Sequence, residues 1–176
     1  MRLDNNKTPP FNPESCNAIL DTAKVIYNEE LSRFNQYETK NSIGLAFTGV
    51  IFGAYLRYLS TATPNFENIP YTIYSSFFNI VILFLFSLGI IYFLKSIKSG
   101  EYQQVELGNI VEYDFARDDI AKVRFELAAT YKVAVEQNKS VLENKSKFFD
   151  RGLNFASSAF VLFIFFFLIE EVIKNV

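Results

Sequence analysis

The chain has 176 residues, half of them hydrophobic, with 20 Phe, a net charge of −2, no His and a single Cys. Without His, the Ser-His-Asp and Cys-His catalytic arrangements and the HExxH zinc site are excluded, and one Cys allows neither a Cys-rich metal site nor an intrachain disulfide. The slightly acidic balance gives no electrostatic footprint for nucleic acid, so no direct nucleic-acid binding is expected; nor is an enzymatic activity or a cofactor.

In chain order, residues 1–13 read as a disordered lead-in, because TPPFNP cannot hold a helix. This polar, Pro-rich start has no apolar run of the kind a cleaved signal peptide carries. Asn12-Pro13-Glu14 then has the form of an N-cap, a Pro at the first helical position and an acid in the first turn. Over 14–41, Ile19/Leu20, Ala23, Ile26/Tyr27, Leu31, Phe34 and Tyr37 recur at three- and four-residue intervals, which predicts an amphipathic helix. Asp21, Lys24, Asn28, Glu29 and Gln36 fall on its other face. That face is slightly acidic, whereas helices lying on membranes are usually basic, so packing against a second helix is expected.

Three apolar runs reach the roughly 20 residues that a bilayer requires. They are Ser42–Ser60, Tyr71–Leu94 with no charge at all, and Gly152–Ile169. Arg57 lies in the last turn of the first and can snorkel to the headgroups. Residues 42–95 thus read as a two-span hairpin and 152–176 as a third transmembrane helix. Between them, 96–151 reads as a helical segment, punctuated early by Gly100 and Gly108 and free of Pro and Gly from Asn109 to Arg151. Ile120, Val123, Leu127, Tyr131, Ala134, Val135, Val141 and Phe148 give it a helical stripe. At 1.5 Å per residue it would be up to about 60 Å long and would run into the third span, with Gly152 as a bend. The fold class expected is an all-α membrane protein.

Lys and Arg in the flanks set the expected orientation. Residues 1–41 carry five, 61–70 none and 95–151 ten. The N-terminus and the central segment are expected in the cytoplasm and the short loop and C-terminus on the outer side of the membrane, as three spans require. Lys139, Lys145, Lys147 and Arg151 then lie where they can meet anionic headgroups.

Within the spans, Gly49 and Gly53 form a GxxxG pair suited to helix–helix contact, either inside one protomer or between copies. Asn79 calls for an interhelical hydrogen bond or a pore-lining position, and with Thr48 and Arg57 it can outline a polar seam. No carboxylate lies in the middle of a span, which argues against a proton-coupled carrier.

Two stretches resemble the transmembrane effectors of bacterial anti-phage defence. Tyr37-Glu38-Thr39-Lys40-Asn41-Ser42-Ile43-Gly44 is similar to their acidic-x-Lys entry into a small-residue-rich span. Leu127-Ala128-Ala129-Thr130-Tyr131, Asn138 and Asn144-Lys145 resemble the helix that leads into their last span. The order of parts over roughly residues 30–170 is also similar to that of Pycsar-type and CRISPR-associated membrane effectors. The resemblance implies a homo-oligomer located in, and compromising, the bacterial inner membrane, with a soluble defence protein or a signalling nucleotide as its partner. A membrane-anchoring regulatory or structural subunit that binds a soluble partner through the extramembrane helices is the other reading.

Overall fold

The computed structural model describes residues 11–61, 69–105 and 117–175. Among them it forms three helices and no strand: α1 (Pro13–Thr61), α2 (Ile69–Lys98) and α3 (Ile120–Asn175). Each contains a stretch long and apolar enough to cross a bilayer, the composition of a multi-pass membrane protein.

The ends of the helices follow from local chemistry. Asn12 Oδ1 accepts from the backbone N–H groups of Glu14 and Ser15 at 2.9 and 3.1 Å, and Pro13 opens α1 where no N–H is needed. α1 then continues for 49 residues, about 74 Å, with no break between its amphipathic part and the apolar run. Nothing interrupts it: Pro13 is its only Pro, and Thr39 and Ser42 return their hydroxyls to carbonyls one turn back. α2 ends at Lys98, and the chain turns at Gly100, whose φ of 129° suits a residue without a Cβ.

α3 begins later than the absence of Pro and Gly allowed. It starts at Ile120 because Asp119 caps it, its side chain accepting from Ala121 N–H at 2.8 Å and its carbonyl from Val123 N–H. Residues 109–116 of the expected helix lie outside the described residues, as does Gly108. Gly152 neither ends nor interrupts α3, which runs on for 56 residues.

Inward positions recur every seven residues. On α1 the buried Leu20, Asn41, Thr48 and Tyr55 and the half-buried Tyr27 and Phe34 make the series; on α3 it is the buried Asn138, Lys145, Gly152, Ala159 and Phe166. A seven-residue period keeps one stripe turned toward a neighbouring helix over many turns.

The chain divides into two compact units. The first is drawn from Met1–Phe34 and Tyr102–Val141. Here Leu20 on α1 and Ala121, Ala128 and Ala134 on α3 are buried, and Tyr27 lies edge-on to Tyr131 at 5.3 Å. Tyr102 packs on both Tyr27 and Phe34. The segment around Tyr102 is held by Asn138, whose amide accepts from Gln103 N–H at 2.7 Å and donates to Gln103 C=O at 2.9 Å. One side chain thus completes both hydrogen bonds of a backbone that has no ladder partner.

The second unit is drawn from Asn35–Glu101 and Leu142–Val176. Tyr55, Ile82, Phe86, Ala159 and Phe166 form its core, with a shell of further aromatics. α2 and α3 approach closely at two glycines: a Cβ on Gly89 would lie 3.2 Å from the backbone of Ala156, and one on Gly152 would lie 3.2 Å from Phe93. Gly44 on α1 lies against the same Phe93 ring.

Candidate functional site

The second unit contains a polar junction shared by all three helices. On α1, Glu38 and Asn41 are three residues apart and so share a face. On α2, Ser96 sits in the last turn, and on α3 Lys145 occupies the buried stripe. Lys145, with only 1% of its side chain exposed, forms an ion pair with Glu38. Its ammonium also donates to the carbonyls of Ser96 and Ile97, at 3.3 and 3.1 Å. These are among the last carbonyls of α2, which have no partner inside their own helix and sit at its negative end. A lysine from another helix therefore caps α2.

Ser96 fixes the direction of the remaining bonds. Its hydroxyl donates to Lys145 C=O at 2.7 Å and, with its single proton used, accepts from Asn41 Nδ2 at 2.8 Å. Asn41 is fully buried, and its Oδ1 has no hydrogen-bond partner among the described residues. Beside the junction, Tyr37 and Ser146 share a hydrogen bond of 3.1 Å. Tyr37, Glu38 and Asn41 on α1 thus meet Lys145 and Ser146 on α3 at one point.

Of the four cations expected to meet headgroups, Lys145 is buried within the protomer, because the heptad stripe turns it inward, whereas Lys139, Lys147 and Arg151, off that stripe, are exposed. The polar set in the spans is only partly assembled. Thr48 is buried on the same stripe as Tyr55, and Tyr55 donates to the backbone carbonyl of Asn79 at 2.6 Å, with Asn79 Oδ1 at 3.3 Å. Arg57, two residues beyond Tyr55 and so on another side of α1, is exposed. Gly49 and Gly53 face outward, and a Cβ on either would meet nothing within 4 Å.

The sequence reading missed the packing roles of Gly89 and Gly152. The signal was available in the small residues at four- and three-residue steps, Gly152, Ala156 and Ala159. It also missed Ser96 as the link between helices; nothing in its local sequence marks it. No family model, curated protein or solved structure matches the chain.

Proposed function

We propose that the protein is an oligomeric effector of the bacterial inner membrane that permeabilises or depolarises it in anti-phage defence. The observation that carries this reading is the filled interior of the single protomer. Tyr55, Ile82, Phe86, Ala159 and Phe166 close the space between the three helices, so ions must pass between or around assembled copies. The outward face of α1 with Gly49 and Gly53 supports the assembly step, because small residues let backbones of neighbouring helices approach closely. The resemblance of the Glu38–Lys145 stretches to membrane effectors supports the defence context.

The test is expression in bacteria with the neighbouring genes under phage challenge, with a voltage-sensitive dye as readout. Depolarisation and growth arrest are expected, and truncation at Arg151, which removes the third span, should abolish both. An unchanged membrane potential in the full-length strain sinks the proposal. Reporter fusions after Asn65, Gly108 and Val176 should read outside, inside and outside; an exported reporter active at Gly108 would reverse the orientation.

One observation favours the second reading, an anchoring subunit. An apolar groove of about 540 Å³ lies between α1 and α3 of the first unit, lined by Ala18, Ile19, Ala23 and Ile26 with Phe125 and Ala128. Such a groove suits the apolar face of a partner's helix. Co-purification of one defined soluble protein that is lost in Ala129→Arg, a change at an exposed residue lining the same groove, together with unchanged membrane potential, would favour the anchor.

A further inference from the structure

We propose that Tyr92, Lys95 and Arg151 form a binding site for the phosphate of an anionic phospholipid. Two cations from different helices converge on one ring. Lys95 Nζ lies 5.5 Å and Arg151 Cζ 5.9 Å from the centre of the Tyr92 ring. The ring is held in place from α3, stacked on Phe155 at 5.4 Å and 11° and flanked by Phe148 at 6.4 Å. Among the described residues no carboxylate lies within 4.0 Å of either cation and none of their groups hydrogen-bonds the Tyr92 hydroxyl. Lys145, by contrast, has its carboxylate.

Two like charges gathered at one aromatic side chain repel, and an anion between them relieves that repulsion. A phosphate fits: it accepts from the guanidinium, the ammonium and the phenol together, as charge-assisted bonds. The height of the site selects a lipid. Lys95 is the first charge after the apolar run that ends at Leu94, and Arg151 is the last before the run that starts at Gly152. Both therefore stand at headgroup level. On α2, Ile91 and Phe84, four and eleven residues before Lys95, share its side of the helix and face outward, a strip along which an acyl chain can lie.

The full chain, purified in a neutral detergent, is mixed with phosphatidylglycerol, phosphatidylcholine or inorganic phosphate, and lipid retention is read by native mass measurement alongside the thermal midpoint. Wild type should retain about one phosphatidylglycerol per chain and gain stability. Lys95→Gln with Arg151→Gln should lower retention at least ~10-fold. The control pair Lys24→Gln with Lys132→Gln removes the same charge from exposed positions far along the chain from the apolar runs and should stay within about twofold. Tyr92→Phe keeps the ring and its packing, so its fold is secure, and should cost about threefold through the lost hydroxyl. Equal retention by the Lys95/Arg151 double variant, an equal loss in the control pair, or equal retention of phosphatidylcholine would overturn the site. Stabilisation by inorganic phosphate to the same extent would overturn its assignment to a lipid.

Discussion

Lys145 and Glu38 stand 107 residues apart in the chain and form one ion pair, in which the ammonium side is 1% exposed and the carboxylate side 36% exposed. The asymmetry predicts which partner is harder to lose. Glu38→Leu strips a buried ammonium of this counter-charge and should cost about 3–5 kcal/mol. Lys145→Met leaves a carboxylate that water can reach, and should cost less. The double variant should fall short of the sum of the two by about 1–3 kcal/mol. Thermal or denaturant unfolding in detergent measures all three, and strict additivity would show that the pair contributes no coupling.

Glycines on different helices should respond in opposite ways. Gly152→Leu forces a side chain against Phe93 and should lower stability by at least ~2 kcal/mol, with loss of the folded protein by size exclusion. Gly49→Leu and Gly53→Leu meet open space and should leave protomer stability within about 0.5 kcal/mol or raise it slightly through helix propensity. If the outward face of α1 joins copies, these two variants shift the oligomer distribution in native mass measurement.

Asn138 can be tested by chemistry rather than size. Asn138→Ala removes both bonds to Gln103 and should cost about 1–3 kcal/mol, with faster proteolysis over residues 99–105. Asn138→Asp keeps the acceptor for Gln103 N–H and sets a charge against Gln103 C=O. It should therefore be no better tolerated than Ala. Protection of the segment unchanged in both variants would mean that Tyr102 alone holds it.

Tyr102 gives the first unit an alkaline limit. Burial, and secondarily the neighbouring Tyr27, push its phenol up to about 12, although the Asn138 side chain pulls the other way. A raised folded value means that the folded state holds the proton more tightly than the unfolded chain. The contribution is complete below pH 10 and is lost as pH climbs toward 12. Tyr102→Phe should remove this part of the alkaline loss, seen as a flatter stability profile between pH 10 and 12 and one fewer late-titrating phenol by absorbance. The hydroxyl's bond to Tyr27 C=O, at 3.3 Å, is long and its loss should cost little at neutral pH.

Hydropathy and capping are local properties, and they were legible along the chain. A 24-residue uncharged run partitions out of water whatever it packs against, and Asn12-Pro13-Glu14 starts a helix by hydrogen bonds that span three residues. Which face of each helix is shared is not local. Lys145 and Lys147 differ little in their surroundings along the chain, but two residues are about 200° of helix rotation, which turns one inward to Glu38 and leaves the other exposed. Gly49 and Gly53 carry the more familiar motif, yet Gly89 and Gly152 make the close crossing, because contact depends on the phase of two helices relative to each other. The seven-residue stripes set that phase only when α1, α2 and α3 pack together, so tertiary structure alone decided the junction of Glu38, Asn41, Ser96 and Lys145.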